Sequence, residues 1–98
     1  MTEIITTKEG TRFIGFPNDH LFSEIKSGNS FTDGFLKGVI EKYVKPDSVC
    51  VDVGANLGYV SLYLAQRCKR VLAFEPQPVV FLQLCANLFL NQQFNVTP

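Results

Sequence analysis

The sequence predicts an α/β fold built on a parallel sheet. A β-branched apolar run over Val49–Val53 stops at a loop with two glycines, and a helical pattern follows the loop directly. A second apolar run, Val71–Phe74, comes after that helical pattern, and a further helical pattern begins at Pro78. This order indicates parallel strands joined by right-handed crossover helices. The near-continuous apolar character of the first run predicts a strand that is buried on both faces.

The first part of the chain predicts a hairpin and two helices. Residues 3–16 have two partly alternating arms around Lys8-Glu9-Gly10, a pattern that is typical of a β-hairpin. A short helix is expected over His20–Lys26 and a longer one from about Asp33 to Val44, because apolar residues recur there at helical spacing. Lys45-Pro46 ends the longer helix, since proline disfavours the α region at the residue before it.

The second part predicts alternating strands and helices. The first strand is expected over Ser48–Val53 and the helix after the glycine loop over about Leu57–Gln66. A second strand covers Val71–Phe74, and Pro78 begins a helix that runs to about Asn91, since proline is tolerated in a first turn. Residues 95–98 are predicted to begin a third strand.

The helix over residues 78–91 is hydrophobic over most of its circumference. Its narrow polar stripe consists of Gln83, Asn87 and Asn91, at i, i+4 and i+8. A helix that only covers a sheet has a broader polar face. We therefore expect this helix to be buried on two sides, by the sheet and by either the N-terminal segment or another subunit. Aspartate in place of Phe81 and Phe89 should then lower stability or disperse an oligomer.

Length and charge restrict the class of protein. The 98 residues make one small domain at most, with 46% hydrophobic residues. Nine basic and nine acidic residues give a formal net charge of zero, which argues against a nucleic-acid partner. The N-terminus has no signal-peptide pattern, and the longest apolar run is too short to span a bilayer. We therefore expect a cytoplasmic protein with no membrane partner.

The glycine loop reads Asp52-x-Gly54-x-Asn56-x-Gly58. In an open parallel sheet, ligands bind beyond the carboxyl ends of the strands, where this loop lies. A dinucleotide fingerprint has three glycines, but Asn56 and Tyr59 stand in place of the second and third. A G-K-[ST] phosphate loop is also absent. These differences argue against a nucleotide-binding oxidoreductase and against a P-loop protein.

Two acids flank the loop. Asp52 lies next to the end of the first strand and could face a cationic amino-acid group, while Glu75 directly follows the second strand, 17 residues after Gly58. A glutamate at this point can accept both hydroxyls of a ribose through its two carboxylate oxygens. An adenosine joined to an aminoacyl group fits these parts. The alternative roles are structural: Asp52 caps the loop, Glu75 is a solvated charge, and Asn56 is a left-handed turn residue.

These residues resemble the FkbM-type S-adenosylmethionine-dependent methyltransferases. The similarity covers roughly residues 30–98 and consists of D-V-G-A-N-L-G-Y at 52–59, A-F-E-P at 73–76 and the segment Asn87–Asn91. It implies a Rossmann-like class I methyltransferase fold with strand order 3-2-1-4-5-7-6. It also implies S-adenosylmethionine as cofactor, and O-methylation of a hydroxyl on a saccharide, natural product or other small-molecule acceptor.

The resemblance also implies residue roles. Asp52 would face the amino-acid end of the cofactor and Glu75 would hold its ribose. The methionine side would be lined by Gly54, Ala55, Asn56 and Gly58. Asp33 stands where many family members have a glutamate, and its role is open. Neither a catalytic residue nor a metal ligand is identified.

The chain is shorter than a complete domain of that family. We expect residues 1–46 to form an N-terminal hairpin and two helices. Residues 47–98 would then be the first half of the cofactor-binding domain, an incomplete Rossmann-like fold truncated at the start of its third strand. The alternative function is a truncated, non-catalytic module that pairs with another chain through its open sheet edge and the helix over 78–91, because exposed strand edges invite pairing.

Overall fold

The structure is a computed structural model that describes residues 1–28 and 34–98. Asp33, whose role the resemblance leaves open, lies outside the described residues. In chain order the elements are β1 (Glu3–Thr6), β2 (Arg12–Gly15), α1 (His20–Lys26), α2 (Gly34–Tyr43), β3 (Val49–Val53), α3 (Tyr59–Ala65), β4 (Arg70–Phe74), α4 (Pro78–Leu90) and β5 (Val96–Thr97). The predicted α/β class and order of elements are confirmed.

The main sheet is parallel, with strand order β3-β4-β5. Val49 pairs with Arg70 and Val53 with Phe74, and Val71 pairs with Val96 on the other side of β4. Helices α3 and α4 are the two crossovers. The sheet therefore extends in one direction from β3, as the predicted order 3-2-1 requires.

The N-terminal hairpin pairs β1 with β2 in antiparallel register. Its turn closes through a hydrogen bond from the Thr7 amide to the Thr11 carbonyl, at 2.8 Å, and Gly10 has a φ of 89°. The predicted turn at Lys8–Gly10 is thus confirmed. The hairpin contributes Phe13 to a core shared with α1, α3, α4 and one face of the sheet. The largest fully buried apolar side chains of that core are Phe13, Phe22, Leu57, Leu62, Leu84 and Val71.

The prediction that β3 is buried on both faces is wrong. Val49, Val51 and Val53 are 59%, 57% and 81% exposed. Two right-handed crossovers that extend a sheet in one direction place both helices on the same face. In the described part of the chain no helix covers the opposite face, so alternate residues of β3 are exposed to solvent.

Helix α4 directs its polar stripe towards the hairpin. The Arg12 amide donates to Asn91 Oδ1 at 2.9 Å, and Asn91 Nδ2 donates to the Arg12 carbonyl at 2.7 Å. The Ile14 amide donates to Asn87 Oδ1 at 2.7 Å, and Gln83 Nε2 donates to the Ile14 carbonyl at 3.1 Å. The carboxamides thus bind the edge of β2 as a neighbouring strand would.

This arrangement corrects the prediction that the apolar surface of α4 is buried on two sides. The N-terminal segment does cover the helix, but it covers the polar stripe, because the edge peptide groups of β2 need hydrogen-bond partners. Within the chain, Val79, Leu82 and Phe89 are 60%, 67% and 75% exposed. Burial of these residues by another subunit stays a prediction. Within residues 1–28 and 34–98, no helix has both the length and the hydropathy that crossing a bilayer requires.

Candidate functional site

The loop from residue 54 to 58 connects the carboxyl end of β3 to α3. Its backbone is left-handed at three alternate residues: Gly54 has a φ of 79°, Asn56 of 53° and Gly58 of 104°. Glycine adopts such angles without steric cost, and asparagine is the side chain that most often tolerates them. Asn56 thus has the left-handed conformation of its alternative, structural role, and this conformation is compatible with contact to a ligand.

The loop bends over the end of the neighbouring strand. The amides of Gly54 and Ala55 both donate to the Phe74 carbonyl, at 2.8 and 2.9 Å, and the Gly58 amide donates to the Ala55 carbonyl at 3.0 Å. Phe74 is the last residue of β4, so these bonds hold the loop beside the residue that follows, Glu75.

Glu75 lies directly against the loop. Its Oε1 accepts from the Asn56 amide at 2.8 Å and its Oε2 accepts from the Gln77 amide at 3.1 Å. Each carboxylate oxygen has two lone pairs, so both oxygens retain capacity for a further donor such as a ribose hydroxyl. The side chain is half-buried. Its position is therefore fixed by the backbone and remains open to a ligand.

Asp52 lies on the face of β3 that α3 covers. Its Oδ2 accepts a hydrogen bond of 2.7 Å from the Ser61 hydroxyl, and Ser61 is fully buried. Sequence reasoning missed this serine. Its signal was a lone hydroxyl among the apolar inner residues of α3, next to Leu62 and Leu64. The bond fixes the carboxylate at the start of the loop, where negative charge was predicted.

The predicted loop residues differ in their surroundings. Gly54 and Asn56 are exposed, whereas Ala55 and Gly58 are buried together with their backbone, so the accessible surface of the loop belongs mainly to Gly54 and Asn56. A Cβ on Gly54 would meet no atom within 4 Å, which leaves open space beside this backbone. A Cβ on Gly58 would lie 2.9 Å from Leu84 Cδ1, so this glycine allows close packing of α4.

A cavity of about 640 Å³ lies elsewhere, between the hairpin turn, α1 and α3. Tyr59 and Tyr63 line it together with Lys8, Lys37 and Arg67, but none of the six predicted cofactor residues does. The Arg67 guanidinium carbon lies 3.6 Å from the ring centroid of Tyr63. Burial raises the pKa of the Tyr63 hydroxyl, and the positive charge of Arg67 opposes this rise.

The sequence is locally similar to two curated proteins. It is 53% identical over 45 residues to "AMB antimetabolite synthetase AmbE" of Pseudomonas aeruginosa, a match that covers 44% of this chain and 2% of that protein. It is 49% identical over 43 residues to "Methyltransferase sdnD" of Sordaria araneosa, covering 42% of this chain and 17% of that protein. The chain thus corresponds to a small part of either relative.

The fold is similar to solved structures over nearly the whole chain. TYW2 of M. jannaschii in complex with AdoMet has 24% sequence identity and a TM-score of 0.67, covering 99% of this chain and 42% of that one. No family model matches the sequence, so the resemblance to the FkbM type is not confirmed. The comparisons establish a Rossmann-like α/β fold and a local sequence similarity to a methyltransferase.

Proposed function

We propose that this chain forms the first half of the cofactor-binding domain of an S-adenosylmethionine-dependent methyltransferase of the FkbM type. The observation that carries the proposal is the position of Glu75. Its carboxylate holds the Asn56 amide at 2.8 Å and so lies at the centre of the glycine loop. This position supports a role for Glu75 as acceptor of the ribose hydroxyls, beside the exposed backbone of Gly54 and Asn56.

The residues at the glycine loop fit S-adenosylmethionine. Glu75 would accept the ribose hydroxyls, and Asp52, held by Ser61, would attract the cationic amino group at the end of the first strand. The methionine part would lie along the backbone of Gly54, Ala55, Asn56 and Gly58. When bound, the cofactor supplies an electrophilic methyl group. The contribution of these residues is to bind and orient it, because such transfers depend largely on positioning the reactants.

The acceptor is proposed to be a hydroxyl on a saccharide or another natural product. Support comes from the resemblance of the motifs, from a name among the relatives that refers to antimetabolite synthesis, and from the zero formal charge, which does not favour a polyanionic acceptor. No residue is assigned to acceptor binding or catalysis. A cytoplasmic location stays a prediction from the sequence.

A second candidate function is the non-catalytic pairing module. The exposed face of β3 supports it, together with Phe74, which is 55% exposed on the same face of β4. In this case the chain would bury this exposed face and the edge of β3 against a partner, and it would not need a cofactor.

Calorimetry with S-adenosylmethionine, S-adenosylhomocysteine and NAD separates the candidates. We expect S-adenosylmethionine and S-adenosylhomocysteine to bind. Glu75→Gln should weaken their binding about tenfold or more, since the loss of a hydrogen bond to a charged group has about this effect. Glu9→Gln, an exposed acid in the hairpin turn, is the matched control and should bind normally. Binding of NAD alone would indicate an oxidoreductase. Absence of binding by a cooperatively folded chain would favour the pairing module.

A further inference from the structure

Asn87 joins three parts of the molecule. This residue of α4 is 0% exposed. Its Oδ1 accepts from the Ile14 amide at 2.7 Å, while its Nδ2 donates to the Ile14 carbonyl at 3.3 Å and to the Leu57 carbonyl at 2.8 Å. One side chain therefore contacts the edge strand of the hairpin and the glycine loop at the same time.

The orientation of the carboxamide is fixed by its partners. The Ile14 amide can only donate, and the Leu57 carbonyl can only accept, so neither bond survives if oxygen and nitrogen exchange places. A buried carboxamide is costly unless its polar atoms are hydrogen-bonded. Asn87 satisfies this requirement only while both the hairpin and the loop are in place.

The loop residue that Asn87 holds lies between two predicted cofactor residues. Leu57 follows Asn56 and precedes Gly58, and its side chain is 0% exposed. The Leu57 carbonyl belongs to the same peptide group as the Gly58 amide, which donates to the Ala55 carbonyl at 3.0 Å. Fixing the carbonyl therefore fixes the orientation of that peptide group and the tight turn of the loop.

We propose that Asn87 is a positioning residue that couples docking of the N-terminal hairpin to the conformation of the cofactor loop. The inference rests on the proposed function for its effect on cofactor binding, but its effect on the loop is independent of any ligand. The hairpin is then part of the cofactor-binding unit, although none of its residues lies in the glycine loop.

Asn91 provides a matched control. It directly follows α4, one turn beyond Asn87, and binds the amide and carbonyl of Arg12, as Asn87 binds those of Ile14. Its Nδ2 also donates to the Asn87 carbonyl at 2.8 Å, and within residues 1–28 and 34–98 its hydrogen bonds go to the hairpin and to α4 rather than to the loop. Asn87→Ala and Asn91→Ala therefore each weaken hairpin docking, but only the first releases the loop.

The first measurement is amide hydrogen exchange by NMR. We expect Asn87→Ala to speed exchange of the Ala55, Asn56 and Gly58 amides at least about tenfold more than Asn91→Ala does, a difference of about 1.4 kcal/mol. The Val71 amide, which donates to the Asn95 carbonyl in the sheet, is the internal reference and should change equally in both variants. Equal loop exchange in both variants would overturn the proposal.

The second measurement is the dissociation constant of S-adenosylhomocysteine. It should rise about tenfold in Asn87→Ala and less than about twofold in Asn91→Ala. If the unsubstituted chain binds none, the proposed function fails, while the exchange result still decides whether Asn87 positions the loop.

A third measurement applies if Asn87→Ala does not fold. In the unsubstituted chain, the Ile14 and Gly58 amides should show one common opening free energy across a series of low denaturant concentrations. A Gly58 amide that stays protected after the Ile14 amide has exchanged would show that the loop holds its conformation without the hairpin.

Discussion

The two glycines of the cofactor loop should respond differently to alanine, with Gly58 the more sensitive. At a φ of 104°, Gly58 lies in the left-handed region, where a side chain costs about 1–2 kcal/mol. The new Cβ would also lie 2.9 Å from Leu84 Cδ1, and Leu84 is fully buried. Overpacking of a core costs about 1–3 kcal/mol. Gly58→Ala should therefore lower the free energy of unfolding by about 2–5 kcal/mol.

Gly54→Ala is the matched comparison. Its φ of 79° incurs the conformational cost, but a Cβ there meets no atom within 4 Å. We expect a loss of only about 1–2 kcal/mol. Denaturant unfolding of both variants measures the difference, which is detectable because a small domain is stable by only about 5–15 kcal/mol.

A double-mutant cycle assigns the extra cost to Leu84. Leu84→Ala alone should cost about 2–5 kcal/mol, because it leaves a cavity in the core. Combined with Gly58→Ala, the loss should be smaller than the sum of the two by about 1 kcal/mol or more, since the new methyl group then has room. Equal costs for the two glycines, or additive losses in the cycle, would refute the packing argument.

Three further predictions concern residues outside the loop. Ser61→Ala should lower the free energy of unfolding by about 1.5–3 kcal/mol, because it removes a 2.7 Å hydrogen bond to the Asp52 carboxylate; no loss on denaturant unfolding would contradict this. Burial raises the pKa of the Cys68 thiol from 9.0 to about 11. The stability that the neutral, buried thiol contributes is therefore intact below pH 9.0 and is lost as the pH rises towards 11. Cys68→Ala should remove this part of the loss of stability at alkaline pH. If the free energy of unfolding had the same pH dependence in the variant and in the unsubstituted chain, the role of Cys68 would be contradicted. Phe89→Asp should lower the free energy of unfolding of the single chain by only about 0.5–1.5 kcal/mol, because the ring is 75% exposed and its aromatic partner is the exposed ring of Phe94, with 6.5 Å between ring centroids; a shift in sedimentation would instead reveal a subunit that covers it.

The order of elements could be predicted because local signals decide it. The β-branched run over Val49–Val53, the glycine loop and Pro78 each act within a few residues of chain. Glu75 was placed beside the loop because parallel strands bring their carboxyl ends to one edge of the sheet. The structure shows Glu75 beside the loop, and the bond that joins them, from the Asn56 amide, was not predicted.

The remaining features depend on contacts between distant parts of the chain. The exposure of Val51 follows from both crossovers lying on one face, which the composition of the strand alone does not reveal. The stripe that contains Asn87 was visible as a pattern, but the spacing does not say which surface it faces. Ile14 lies 73 residues away, and its peptide group carries no sequence signal. The tie between hairpin and loop could therefore be found only in the folded chain.

Titration of the unsubstituted chain with S-adenosylhomocysteine, followed by amide chemical shifts, tests the central claim most directly. The proposed function predicts that the largest shift changes lie at residues 52–58 and at Gln77, whose amide donates to Glu75. The amides of the hairpin turn and the cavity beside it should change little. Changes confined to that cavity, or none at concentrations where the ligand is in large excess, would contradict the assignment of the glycine loop as a cofactor site.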